Sequence, residues 1–332
     1  MNELYPWVIA SWQTLQELRK RLPNALLIKG AQGIGKLDLA LNFAQSLLCE
    51  QPTGSGMACG VCKSCRWFEQ DSHPDFRLVQ PKALSEDEEE GKANSKKPSR
   101  EVSVTQIREL VDFSSISSQS GGYKIILIHP AESMNASAAN SLLKTLEEPS
   151  ANVLFLLVSH KPQQLLPTII SRCQTFTVQP PTKEMGVAWL ARQGVASPEQ
   201  ALAQSGGAPL QSLSWPEAGT EARTVLLNSL PHPSRFDPLT LSESLQHSEP
   251  VQVVHCLQQW CHDLTSAKLA GVVRYFPERV STILALADNV TIAGMLNYQK
   301  ELLAARSAAY HPLNQKLFME SILISYRRFF AS

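Results

Sequence analysis

The stretch GAQGIGKLD at 30–38 has the types and spacing of a phosphate-binding loop. Gly30, Gly33, Gly35 and Lys36 follow the pattern G-x-x-x-x-G-K-[ST] up to its last position, which is Leu37. Glycines in such a loop let backbone N–H groups converge on an anion, the helix dipole behind them favours negative charge, and the lysine adds a point charge. Hydrolysis needs more, because a Mg²⁺ must be held and a water oriented. The metal ordinarily takes a hydroxyl from the residue after the lysine and a carboxylate from the end of a neighbouring strand. Leu37 has no hydroxyl, and the corresponding strand end in KIILIHPAE offers His129 and Pro130, with Glu132 two residues further on. Two independent losses in the metal shell predict a chain that does not hydrolyse ATP. Binding of a nucleotide at Lys36 stays open.

A second group is Cys49, Cys59, Cys62 and Cys65, spaced C-x9-C-x2-C-x2-C. Four thiolates satisfy a tetrahedral Zn²⁺, and each C-x2-C pair lets one tight turn present two sulfurs to the same ion. A closed shell of four cysteines leaves no open coordination position, so the expected zinc is structural. The bland alternative is four unrelated thiols. His73 is an alternative ligand, but four cysteines already close the shell, and a loop or surface position is expected for it. Cys173, Cys256 and Cys261 are scattered, and they read as small apolar core residues.

These groups need elements to hold them. NALLIKGAQGIGKLDLALNFAQSLLC reads as strand, loop and helix, with Leu37, Leu41, Ala44 and Leu48 predicted on one helix face. Phe76–Val79, GGYKIILIHP, NVLFLLVSHKP and the end of TIISRCQTFTVQPP supply further apolar strand segments. SVTQIRELVDFSS, with Val104, Ile107 and Val111 sharing a face, and NASAANSLLKTLEEP, entered at Asn135 and stopped by Pro149, supply helices. Strands alternating with helices predict a parallel α/β sheet covered on both faces. KALSEDEEEGKANSKKPSR at 82–100 is an acidic block followed by a basic one with little to bury, and it is expected to be a disordered insertion. Beyond Pro181 the chain turns helical. Short pieces break at Gly194, Ser197 and Gly206–Gly207, and longer helices follow, with Val253, Leu257, Trp260 and Leu264 on one face and Leu317, Ile322 and Tyr326 on another.

Composition sets the outer limits. A chain of 332 residues, 43% apolar, suits two or three domains. No apolar run approaches the ~18–20 residues that cross a bilayer, and no secretory signal stands at the N-terminus, so a cytoplasmic protein is expected. Thirty basic residues balance thirty acidic ones, which excludes a global basic field for nucleic acid and leaves any DNA contact local or borrowed. Clustered cysteines in a chain without a signal favour metal over disulfides.

GAQGIGK, the cysteine cluster after the first helix, AANSLLKTLEEP and above all LLPTIISRCQTF together resemble the AAA+ clamp-loader subunits of bacterial replication. The resemblance covers most of residues 1–215, and HPLNQKLFMESIL is similar to a segment of that family's oligomerising domain. It implies an AAA+ P-loop core at 1–180 carrying the zinc module at 49–65. A helical lid at 181–218 and a helical collar at 219–332 would follow. Leu37, His129, Pro130 and, in the lid, Pro209 depart from the motor subunits of that family and match its non-hydrolysing members. For Arg172, within Ser171-Arg172-Cys173, the resemblance implies an arginine finger acting in trans on a neighbour's ATP. Without it, a salt-bridged arginine at a strand entry would be the better reading. The implied partners are motor subunits of gamma/tau type and a delta subunit in a hetero-oligomeric ring, together with the sliding clamp and primed DNA. Lys144 and Glu147 sit on one helix face, which is either solvated or turned towards a neighbour. Two rivals are a motor subunit, for which Lys36 would be essential to turnover, and a DNA-binding module built on the zinc knuckle. Against the second stand the neutral charge and the lack of aromatic residues interleaved with a basic run.

Overall fold

The computed structural model describes residues 4–84, 98–214, 217–233, 235, 237–309 and 314–331. Residues 85–97 of the predicted insertion lie outside them, as do 311–313 of HPLNQKLFMESIL. The chain divides into two compact units, Met1–Met185 and Gly186–Ser332.

In the first unit, five parallel strands form one sheet: β1 (Ala25–Lys29), β2 (Phe76–Val79), β3 (Lys124–Ile128), β4 (Val153–Ser159) and β5 (Gln174–Thr177). Their order is β2-β3-β4-β1-β5. In register, Ile28 stands beside Val158 and Phe176, and Ile128 beside Val79 and Leu157. Every residue of β3 and β4 is buried, because helices cover both faces and leave no side of either strand to water. The helices of this unit are α1 (Ile9–Leu18), α2 (Lys36–Leu48), α3 (Lys63–Glu69), α4 (Val104–Ser115), α5 (Ala136–Glu147) and the short α6 (Pro167–Ile170). α2 packs on β1, β3 and β4, while α4 and α5 pack on each other over a core containing Ile107, Leu142, Phe155 and Leu157.

Local chemistry explains the helix starts. Ser103 and Gln106 form a reciprocal capping box at α4, and Asn135 Oδ1 accepts from the Ala138 amide, 2.9 Å, at α5. The predicted faces shift at two helices. α2 buries Leu39, Ala40, Phe43 and Ala44 and leaves Leu37 and Leu41 half-buried, because a helix lying on a sheet turns its widest apolar arc inward. On α4 the buried apolar residues are Ile107 and Leu110, with Val104 and Val111 at the margin.

The second unit is helical, starting within α7 (Lys183–Arg192). It continues with α8 (Pro198–Gln204), α9 (Pro209–Leu213), α10 (Glu217–Ser229), α11 (Pro238–Ser244), α12 (Pro250–Ala270), α13 (Val280–Asp288), α14 (Ile292–Ala308) and α15 (Gln315–Ala331). α12 is the hub, packed on α10, α13 and α14. Val253, Leu257, Trp260 and Leu264 are all buried along it, as are Cys256 and Cys261. Ile322 and Tyr326 are buried on α15, but Leu317 is 62% exposed and does not share their face. The core is specified by polar pairing as well as by packing. Trp260 Nε1 donates to Tyr326 Oη at 2.9 Å, and Tyr326 Oη donates to the Leu230 carbonyl at 2.8 Å. Truncating the indole opens a large cavity and removes the donor to Tyr326 Oη at one stroke, so Trp260→Ala is expected to destabilise this unit by about 3–5 kcal/mol. Urea unfolding followed by circular dichroism measures it, and a loss below about 1 kcal/mol would mean the site collapses around the smaller side chain.

No single helix among the described residues is long and apolar enough to cross a membrane. One bent pair, Pro277–Asp288 with Ile292–Ala308, has the length and composition, but Ile283, Ala287, Met295, Tyr298 and Leu302 of that pair are core residues.

Candidate functional site

The phosphate loop runs from the end of β1 to the start of α2, at the point where the sheet's strand order reverses and where open α/β sheets place their ligand crevice. Gly35 is the helix N-cap with φ 78°, a left-handed conformation that favours glycine. A Cβ there would also meet the Tyr5 ring at 2.4 Å. The N-terminal segment thus lies directly against the loop. Trp7 Nε1 donates to the Ile34 carbonyl at 3.0 Å, and the Tyr5 and Trp7 rings stack with centroids 5.1 Å apart. Burial first, and then the Asp38 carboxylate that it hydrogen-bonds, push the Tyr5 hydroxyl up to about 12. Sequence reasoning missed this cover, because a Tyr and a Trp near an N-terminus carry no periodicity that says where they pack.

Lys36 is 2% exposed, and its ammonium donates to the Ala31 carbonyl of its own loop. Burial pulls its pKa down to about 8, with Glu132 acting in the opposite direction. Glu132, which the sequence could not place, therefore stands within electrostatic reach of Lys36. Its Oε1 is already engaged by the amides of His160, 3.0 Å, and Lys161, 3.1 Å, so that it caps the end of β4. At the strand end where a metal-binding carboxylate would stand, His129 Nδ1 accepts from Gln80 Nε2 at 2.9 Å, and its Nε2 is 3.2 Å from Nε2 of His160. Burial, followed by the Lys36 charge, pushes His129 down to about 4 and His160 to about 3, so both are neutral at pH 7. The crevice beside them, about 360 Å3, is lined by Gln32, Pro130, Glu132, His160, Lys161 and Gln164 among others. His160 is a second residue absent from the sequence reading. Its only signal was its position just beyond β4.

Arg172 follows α6, on the way into β5. Its Nη1 donates to the Thr168 carbonyl at 2.9 Å, and its Nη2 pairs with the Glu147 carboxylate at the end of α5. The two side chains are 31% and 49% exposed, so solvent screens the pair. Arg172 is thus salt-bridged, as the plainer of the two sequence readings expects, and partly accessible. Cys173 beside it is buried, and its thiol is pushed up to about 11 by burial alone, the state of a packing residue. Lys144 is exposed on the same helix as Glu147.

The four cysteines converge. Cys49 ends α2, Cys59 and Cys62 lie in the loop before α3, and Cys65 lies in its first turn; their sulfurs are all within 4.8 Å of one another. Cys49 and Cys62 sulfurs are 4.0 Å apart, and those of Cys59 and Cys65 are 3.9 Å apart. A disulfide would bring sulfurs to about 2.05 Å. A regular tetrahedron with Zn–S bonds of about 2.3 Å has edges of about 3.8 Å. The spacing therefore fits a four-sulfur metal site and excludes a disulfide. Amides point at the sulfurs, Cys59 N to Cys49 Sγ at 3.2 Å and Cys65 N to Cys62 Sγ at 3.4 Å, as thiolates require. Hydrogen bonds from the Val61 and Cys62 amides hold the Cys59 thiol down at about 6. His73 is not the surface residue expected: it is 1% exposed and hydrogen-bonded to Ser64, outside the cysteine set. Its loop packs under Trp67, whose ring meets it edge-on at 6.0 Å.

Comparison with known proteins identifies relatives along the whole chain. The family model described as DNA polymerase III, delta subunit matches residues 8–182. A DNA polymerase III subunit delta' from Pseudomonas aeruginosa is 35% identical, covering 98% of this chain and 98% of its own. One from Escherichia coli is 31% identical, covering 76% of this chain and 73% of its own. Among solved structures, a DNA polymerase III, gamma subunit-related protein from Thermotoga maritima aligns over 96% of this chain and 99% of its own, with TM-score 0.47 and 18% identity.

Proposed function

We propose a function from the premise that this chain belongs to the DNA polymerase III delta and delta' subunit family, whose delta' members are clamp-loader components. On this reading it is the non-hydrolysing member of an AAA+ ring that helps open the sliding clamp and seat it on primed DNA in the cytoplasm. Its partners are motor subunits of gamma/tau type and a delta subunit. The short helices within 181–218 serve as lid, and the helices of 219–332 serve as the collar that buries against sister subunits.

The observation that carries this reading is the phosphate loop closed on itself. Lys36 spends its ammonium on the Ala31 carbonyl, and Tyr5 covers Gly35. The neutral His129–His160 pair stands where hydrolysis needs a carboxylate for Mg²⁺. Burial disfavours the charge of Lys36, and its bond to the Ala31 carbonyl turns an N–H group back into its own loop, which makes it a weakened phosphate ligand. Catalytic chemistry then falls to Arg172. Its planar guanidinium can neutralise charge growing on the phosphoryl group of an adjacent subunit's ATP. The cysteines hold one structural zinc: Cys49, Cys59, Cys62 and Cys65 fill its shell, and the ion ties the loop between α2 and α3 together without touching substrate.

A nucleotide titration of the isolated chain, with and without Mg²⁺, tests the central point. Little binding and no turnover are expected, and Lys36→Ala is expected to leave the ATPase of a reconstituted ring within about twofold of the parent, since a ΔΔG‡ below ~0.4 kcal/mol is all that an idle lysine can remove. Steady-state turnover by the isolated chain that Lys36→Ala abolishes would instead make it a motor.

A further inference from the structure

The cysteine segment is held by more than its sulfurs. Ser64 lies between Cys62 and Cys65 in the first turn of α3 and donates its hydroxyl to the Leu48 carbonyl at 2.6 Å, one residue before Cys49. The same hydroxyl oxygen is 2.8 Å from His73 Nε2, and His73 Nδ1 is 3.0 Å from the Asp75 amide. The protons in this relay have one arrangement. An amide can only donate, so Nδ1 of His73 is an acceptor; the neutral ring then carries its proton on Nε2 and gives it to Ser64. With that bond accepted, the hydroxyl sends its own proton to Leu48. Ser64 is 4% exposed and His73 1%, so water does not compete. The relay is anchored at its far end as well. The Asp75 carboxylate is fully buried and takes the Gln119 amide at 2.9 Å and the Ser120 hydroxyl at 2.6 Å.

Geometry gives the relay a task. Cys49 is the last residue before the loop, whereas Cys62 and Cys65 come from the far side of it, so bringing their sulfurs together closes a loop at an entropic cost. The Ser64–Leu48 bond makes that closure beside the sulfurs, and His73 orients the hydroxyl that makes it. We propose that His73 is the positioning residue of the four-cysteine metal centre, acting through Ser64 to help hold Cys49 against Cys62 and Cys65 at the tetrahedral spacing the ion needs. It is not a ligand. The proposal rests on the metal reading given above.

The full-length chain carries the test, with zinc competed against a chromophoric chelator and cobalt(II) substituted as a spectroscopic probe. His73→Ala is expected to weaken zinc binding roughly 10–100-fold, the usual effect of removing a group that orients metal ligands, and to shift the d–d bands of the cobalt form. Ser64→Ala is expected to lose as much. The double variant is expected to lose no more than either single one, because both break one chain of bonds. His73→Gln, whose amide N–H can again donate to Ser64, is expected to recover part of the loss, which a purely space-filling role would not allow. Far-UV circular dichroism checks that each variant is folded, and Ser64→Ala with His73→Gln carries the comparison should His73→Ala fail to fold. Parental zinc affinity in folded His73→Ala or Ser64→Ala, or single losses that add in the double variant, would overturn the proposal. A parent chain that binds no zinc removes the metal reading itself, and this inference with it.

Discussion

Arg172→Ala is expected to leave ring assembly intact and to depress ATP hydrolysis at the one site that faces this subunit. Where an arginine finger has been removed in other phosphoryl-transfer systems, the loss is about 10³–10⁵ in kcat, so the affected site should fall nearly silent and only the remaining sites should contribute. The Glu147 pair does not stand in the way. An exposed ion pair is worth about 0–1 kcal/mol, at most about a fivefold bias, which is small beside the interaction of a guanidinium with a phosphoryl transition state. Arg172→Lys is expected to rescue poorly, because an ammonium lacks the planar fork that meets two oxygens at once. Single-turnover hydrolysis in rings reconstituted with the variant, alongside a gel-filtration check of assembly, provides the measurement. Unchanged hydrolysis in a correctly assembled ring would remove the finger.

The second large effect is expected from the metal. Cys65 is fully buried, so Cys65→Ser replaces a sulfur inside a closed set rather than at its rim. Metal content should fall from one ion per chain to nearly none, and the segment from Cys49 to His73 should become a site of rapid proteolysis, cut at Lys63 and Arg66. Structural zinc contributes about 10–16 kcal/mol in peptides that fold only around it. Here the sheet has its own core, so the damage should remain local, and α2 and β2 should persist by circular dichroism. Chelation of the parent chain should reproduce the same cleavage pattern, reversibly on adding zinc. Metal analysis of freshly purified parent chain well below one ion would end the assignment.

Lys36 shows how far motif and structure can diverge. As letters, GAQGIGKL differs from an active loop only at its last position, and the loop does take the expected strand–loop–helix setting. Its surroundings are set by groups from elsewhere: Tyr5 and Trp7 from the N-terminal segment, Glu132 and His129 from beyond β3, and His160 from beyond β4. Each is far from Lys36 along the chain; position at a strand end singles out His129 and Glu132, but no spacing announces Tyr5, Trp7 or His160.

Whatever local pattern controls was legible before the chain had folded. Continuous apolar runs specify β3 and β4, because a strand covered on both faces has no polar side to alternate. Asn135 and Ser103 mark helix starts, since their side chains satisfy amides that the helix leaves open. The cysteine spacing marks out the four-sulfur cluster, as paired thiols in one turn are a local geometry. Packing decided which way α2 rolled, that Leu317 faces water while Tyr326 is buried, that Arg172 is paired with Glu147, and that His73 lies inside, bonded to Ser64. The physical reason is common to all four. Periodicity says which residues share a face, but burial, ion pairing and a histidine's tautomer depend on the atoms that other segments bring alongside, and those are set only when the chain has packed.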